Sequence, residues 1–283
     1  MMIPRLWLAG LLCSCWIAGN LGGAEVRPQR TTVSARMDFH SFVNWDYRFR
    51  RKLNGWKATE AAIRKTLEEW APGRTAHTLV ENGTSQDFRE FLHALPTREK
   101  CDLSIVYLAS HQSPEGEWDF VQRRLESVDG IVSEAHVPRH PARLVIVDAC
   151  YAAALHRQPA WNSEMQSLGL FAASATEETP ELDFRNPHPI DLRRRYPAAS
   201  HWLNEHLGKS WDGKLSFLGF VWVQTFVSSK DVPADMKGWS DFLRRCVETA
   251  DEFRRVAGKR LASGVTFSDA VPSVPPVRGQ RSR

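Results

Sequence analysis

The stretch that most constrains the fold is Arg143-Leu144-Val145-Ile146-Val147-Asp148-Ala149-Cys150. Leu144 to Val147 form an unbroken apolar run, mostly β-branched, which predicts a short strand buried on both faces. The run stops at an acid and then a cysteine. Tyr151-Ala152-Ala153-Ala154-Leu155 follows and predicts the first turn of a helix. Cys150 thus stands where a parallel strand hands over to a helix, the edge at which open α/β sheets bind ligands. A thiol at a helix N-terminus is expected to feel the positive end of the dipole, which favours the thiolate.

A second stretch has the same form. Leu103-Ser104-Ile105-Val106-Tyr107-Leu108-Ala109-Ser110 is mostly apolar and ends in His111. Two such strands can place an imidazole and a thiol on one rim of one sheet, and a base beside a thiol activates a cysteine nucleophile.

Elements alternate before and between these stretches. Met37 to Val43 predicts an opening strand. Trp56, Ile63, Leu67 and Trp70 fall at helical spacing, and Pro72-Gly73 stops that helix. Ala76 to Val80 predicts a short strand closed by Asn82-Gly83. Thr84, with Asp87 three residues on, resembles a capping box for a helix carrying Phe88, Phe91, Leu92 and Leu95. Strand, helix, strand, helix, strand implies α/β, a mostly parallel sheet with helices on both faces.

Gln112 to Gly116 reads as a polar loop, and Trp118 to Val128 as helical. Leu168 to Ala175 predicts another strand. Glu181 to Tyr196, polar and broken by prolines, reads as a surface loop that includes Arg193-Arg194-Arg195. Leu215 to Val227 is apolar throughout, so its pattern does not separate helix from strand. Trp239, Phe242, Leu243, Cys246, Val247, Ala250 and Phe253 mark an amphipathic helix.

At 283 residues the chain can hold one large α/β domain or two small ones, and a formal net charge of +4 makes no case for nucleic acid. Arg5 precedes an apolar run from Leu6 to Ala18, and Gly22-Gly23-Ala24 offers a cleavage site before Glu25, the pattern of a secretory signal peptide. The run is short for a spanning helix, and no later segment is long and apolar enough to span a bilayer. The mature chain is therefore expected to be exported, to the periplasm or the extracellular space. Leu12-Cys13-Ser14-Cys15 resembles a lipoprotein site only weakly, so lipid anchoring is the lesser expectation. Removing the signal leaves Cys101, Cys150 and Cys246, an odd count with at least one free thiol. Whether Cys101 and Cys246 pair is left open. No spacing resembles a zinc site.

A strand ending in His, and some forty residues later a strand ending in Asp-Ala-Cys, resembles the caspase-like cysteine peptidases: caspases, metacaspases and the legumain type. Tyr107-Leu108-Ala109-Ser110-His111 matches the histidine motif, and Asp148-Ala149-Cys150 the metacaspase cysteine motif. The resemblance implies a single caspase-like domain over residues 36–265. A signal peptide (1–24) and linker (25–35) precede it, and a disordered basic tail (266–283) follows.

The resemblance also implies catalytic roles. Cys150 would be the nucleophile and His111 the general base, with the backbone N–H groups of Gln112 and Cys150 as the oxyanion hole. Leu170 to Glu178 resembles the next strand and substrate-binding loop, which would place Ser174 and Glu177 against a protein or peptide substrate. Asp148 would sit in the pocket for the residue before the cut bond, favouring Arg or Lys there. No cofactor is implied, although calcium activates some relatives.

Two positions depart from the pattern. The glycine usual after the histidine is Gln112, and the Ser-Gly usual after the cysteine is Ala152-Ala153, behind Tyr151. The rival expectations are a catalytically inactive binding module of the same fold, and a metal-dependent hydrolase using scattered histidines. Against the second, His136 and His140 flank a loop proline with no completing ligand, and His201 to His206 does not fit His-Glu-x-x-His. Bland roles stand beside the sharp ones: Asp148 as a helix cap, Glu177 and Glu178 as solvated acids, Arg193 to Arg195 as a solvated loop.

Overall fold

The computed structural model describes residues 35–46, 53–121, 125–165, 168–229 and 231–269. The expectations for the signal peptide, nearly all of the linker and most of the tail lie outside them. The strands are β1 (Met37–Val43), β2 (Thr75–Glu81), β3 (Leu103–Ala109), β4 (Glu117–Asp119), β5 (Leu125–Ser127), β6 (Arg143–Asp148), β7 (Leu168–Phe171), β8 (Glu181–Asp183), β9 (Lys214–Ser216) and β10 (Thr266–Asp269). The helices are α1 (Asn54–Trp70), α2 (Ser85–His93), α3 (Val128–Ala135), α4 (Pro159–Glu164), α5 (Leu192–Arg195), α6 (Pro197–Leu207), α7 (Phe217–Ser228) and α8 (Met236–Ala257), with a 3-10 turn at Ala152–Arg157.

Six strands form the central sheet in the order β10-β7-β6-β3-β1-β2. All pair in parallel except β10, which runs antiparallel to β7 at the edge. Alternation along the strands splits the interior into two cores. Ile105, Tyr107, Leu144 and Ile146 face one layer, packed under α1, α6, α7 and α8. Val106, Leu108, Val145 and Val147 face the other, under α2 and α3. This is the α/β layering with helices on both faces that the alternating pattern implied.

Local chemistry explains several boundaries. The Thr84 hydroxyl accepts from Asp87 N while the Asp87 carboxylate accepts from Thr84 N, so the capping box is complete with Asp in the usual Glu place. The ambiguous run from Leu215 resolves as both forms. Lys214–Ser216 is a strand, and Ser216 then caps α7 by accepting from Gly219 N at 2.9 Å.

Three readings are corrected, and one open question is answered. Trp118 to Val128 is not helical: β4 and β5 pair antiparallel there, and α3 starts only at Val128, capped by Ser127. Strands of three residues are too short to show a period of two. Glu181 to Tyr196 is not wholly loop, since β8 pairs with β9 and Leu192–Arg195 is a short helix. Residues 266–269 are not disordered, because Thr266–Asp269 forms β10 against β7. Cys101 and Cys246 do not pair; both are free, buried thiols.

Candidate active site

β3 and β6 are adjacent and parallel, with Ala109 opposite Asp148 in register. His111 and Cys150 each follow two residues later. The dyad candidates thus leave the sheet side by side on its carboxyl edge, from strands about 4.8 Å apart. By alternation both continue the face of Tyr107, Ala109, Ile146 and Asp148, under α1. The Trp56 ring of α1 meets the His111 ring edge-on, with centroids 5.4 Å apart. His111 and Cys150 are half-buried.

The chain after His111 turns back on itself. His111 O accepts from Asp119 N at 3.0 Å, and Ser113 N donates to Glu117 O at 2.9 Å. Gln112 lies opposite Trp118 between those bonds, so the hairpin ladder does not use its backbone N–H. The Gln112 side chain is buried and crosses to the cysteine loop: Nε2 donates to Tyr151 O at 2.9 Å, and Oε1 accepts from Trp118 Nε1 at 2.8 Å.

The helix expected after Cys150 is a six-residue 3-10 turn, entered through Tyr151 in the left-handed region at φ 54°. Its short, loose ladder gives little dipole. Burial dominates instead and pushes the Cys150 thiol up to about 11. Hydrogen bonding to the Thr179 backbone opposes that shift, while the charges of Glu178 and Asp148 reinforce it. The expectation that the helix terminus favours the thiolate is therefore corrected.

Asp148 is fully buried and caps nothing; the 3-10 turn has no side-chain cap. Its Oδ2 accepts from Tyr107 Oη at 2.8 Å and from Ser216 Oγ at 2.5 Å. Oδ1 has no hydrogen-bond partner. The Trp56 side chain also favours the carboxylate. Burial still dominates and raises the Asp148 carboxyl to about 6, against the pull of Ser216, Tyr107 and Trp56. Ser216 and Trp56 are contributors that sequence reasoning missed. Both come from elements distant in the chain, and neither carries a local motif.

The loop after β7 wraps the cysteine turn. Tyr151 N donates to Glu177 O at 2.7 Å, and Ala153 N to Ala173 O at 3.1 Å. The Glu177 carboxylate is not a free solvated acid. It pairs with Arg254 of α8 and accepts from Gly264 N at 2.7 Å. Burial alone would raise its carboxyl, but Gly264 and Arg254 hold it below the usual range. Ser174 Oγ accepts from Thr176 N at 3.4 Å in a tight turn of the same loop. The structure thus sets His111 and Cys150 on one edge of the sheet, with Asp148 two residues before Cys150 and the Gln112 amide bonded to Tyr151. It turns the Glu177 carboxylate toward the loop's own anchorage.

Two of the remaining histidines show how local partners hold such side chains. His140 Nδ1 accepts from Ala142 N, so Nε2 donates to Cys101 O at 3.1 Å, at the opposite edge of the sheet. His206 lies 2.8 Å from Glu69. Among the described residues no three His, Cys, Asp or Glu side chains gather as a metal site, and no helix is long and apolar enough to cross a membrane.

No family model matches the sequence, and no curated protein matches it. Solved structures do. The crystal structure of caspase-1 from Spodoptera frugiperda matches with a TM-score of 0.53 and 11% identity, covering 86% of this chain and 89% of that one. The chain has a caspase-like fold. At that identity the likeness speaks for the fold and carries no residue roles with it.

Proposed function

We propose that this chain is a cysteine endopeptidase in which Cys150 attacks the scissile carbonyl and His111 takes, then returns, the proton. The observation that carries the reading is the register of β3 and β6, which sets His111 and Cys150 equally far beyond one paired position on the carboxyl edge. The Gln112 N–H lies outside the hairpin ladder and, with that of Cys150, supplies the oxyanion donors. Asp148 stands two residues before Cys150, on the β6 face that Cys150 continues, and the resemblance of Asp148-Ala149-Cys150 to the metacaspase motif supports cleavage after Arg or Lys. No cofactor enters this chemistry. The substrate is protein or peptide, met outside the cytoplasm after export.

The raised thiol and its acidic neighbours favour a second reading, an inactive binding module. A thiol-reactive peptide probe ending in Arg separates the two. The peptidase reading expects His111-dependent labelling of Cys150, and loss of cleavage in Cys150→Ala with the fold intact. A Cys150 that stays unlabelled, or a Cys150→Ala variant with full turnover, sinks it.

A further inference from the structure

This inference rests on the dyad reading above and concerns what holds the dyad together. Neither His111 nor Cys150 lies within a strand; both sit two residues past the last paired position, where the sheet's hydrogen bonds no longer fix them. Beyond the strand ends, contacts between the two loops add to the register in setting their spacing. Two side-chain amides make such contacts, in opposite directions. Gln112, on the histidine side, donates Nε2 to Tyr151 O at 2.9 Å on the cysteine side. Gln158, on the cysteine side, donates Nε2 to Glu115 O and Gly116 O, both at 3.2 Å, at the tip of the histidine hairpin.

We propose that Gln112 is a positioning residue of the dyad. Together with the reciprocal amide of Gln158, it locks the His111 hairpin to the Cys150 turn and holds the imidazole at working distance from the thiol.

Three observations support this. Gln112 is only 5% exposed and both ends of its amide are engaged, since Oε1 accepts from Trp118 Nε1 at 2.8 Å. A satisfied buried amide fixes geometry as well as adding stability. Its target, Tyr151, is the residue after the nucleophile and sits at φ 54°, a conformation a non-glycine side chain resists. The Tyr151 N–H is held by Glu177 O, and its C=O accepts from both Ala154 N and Gln112 Nε2, so the strained residue is held on both sides. Finally, Gly116 leaves room for the second tie: a Cβ there would lie 1.8 Å from Gln158 Nε2.

The position separates a tie from simple spacing. Gln112→Gly keeps the backbone N–H available to an oxyanion and removes only the side-chain bonds. If small size after the histidine were what catalysis needs, glycine would leave the rate unchanged or raise it. A tie predicts the reverse: a full displacement of about 1 Å costs on the order of a hundredfold, and the smaller shift allowed by the remaining Gln158 tie about tenfold.

The test compares the full-length wild type with Gln112→Gly, Gln112→Met and His111→Ala. Iodoacetamide alkylation of Cys150 at neutral pH is followed by mass spectrometry of the Cys150 peptide, and kcat and KM are measured on an Arg-containing peptide. The wild type should alkylate faster than His111→Ala, and both Gln112 variants should fall toward the His111→Ala rate. The same variants should lose about tenfold in kcat with KM within about twofold. Circular dichroism reports the fold. Should Gln112→Gly lose it, Gln112→Met, which keeps the side-chain length, is read in its place. A wild type no faster than His111→Ala overturns the dyad reading itself. A wild type faster than His111→Ala, with Gln112 variants at the wild-type rate, leaves the dyad standing and overturns the tie.

Discussion

Asp148 is the residue least suited to its surroundings. It carries a carboxylate at zero exposure, accepts from Tyr107 and Ser216 through one oxygen, and has no cation beside it. Burial raises its folded-state carboxyl to about 6, whereas in the unfolded chain it titrates near the ordinary value of about 4. Between those values the native state holds a proton that the unfolded state has lost. Stability therefore falls as pH rises from about 4 to about 6, and stays reduced above that. Two units correspond to about 3 kcal/mol, an upper bound. Asp148→Asn should thus raise Tm at pH 7.5 and change little near pH 4; a thermal melt at both values reads this, and an unchanged Tm at pH 7.5 counts against a costly buried charge. The same variant should lower kcat/KM for Arg substrates about ten- to hundredfold, the worth of a charge-assisted hydrogen bond, while sparing thiol labelling. A stability gain coupled to an activity loss marks a residue kept for function.

At the scale of elements, the short ones build the site. The 3-10 turn after Cys150 and the tight hairpin from His111 to Asp119 are each only a few residues long, yet residues in the hairpin and at the two ends of the turn carry the inter-loop bonds. Gly116 sits at the hairpin tip at φ +83°, where a side chain is strained and would strike the Gln158 amide. Gly116→Ala is expected to destabilise by about 1–3 kcal/mol and to slow Cys150 labelling; denaturant unfolding and alkylation measure the two. Ser216 joins two jobs in one hydroxyl. It accepts from Gly219 N at the start of α7 and donates to Asp148 Oδ2. Ser216→Ala removes both, so a loss of about 1–2 kcal/mol is expected. A urea midpoint indistinguishable from wild type would show that water replaces the hydroxyl in both roles.

Over the whole molecule, the larger core closes around Trp70. Its ring meets Trp239, Phe226 and Phe242 edge-on at centroid distances of 5.0–5.3 Å and lies 6.4 Å from Trp222, which joins α1, α7 and α8. Those helices cover the sheet face that leads to His111 and Cys150, so this cluster supports the candidate site from behind. Trp70→Ala should cost about 3–5 kcal/mol by denaturant titration, without changing which residue is labelled in molecules that remain folded. Export belongs to the same scale. The mature chain is expected to begin near Glu25, and intact-mass spectrometry of protein from its native host tests it: a soluble form retaining Met1 would refute processing.

What the sequence determined by itself were features written within a few neighbouring residues. The runs ending at His111 and Cys150 announced two buried strands, because continuous β-branched stretches fit a covered parallel sheet. Thr84 and Asp87 announced a helix start, because a capping box closes over three residues. Alternation of strands and helices then implied the layered α/β architecture. The tertiary structure alone decided which distant side chains meet. Ser216 reaches Asp148 across 68 residues, and Arg254 takes up Glu177 across 77. β4, β5, β8 and β9 were missed or left ambiguous, since strands of three residues exist only through their partners. The state of the Cys150 thiol was likewise a tertiary outcome: local sequence promised a helix dipole, but burial and two nearby carboxylates outweigh a turn too short to provide one.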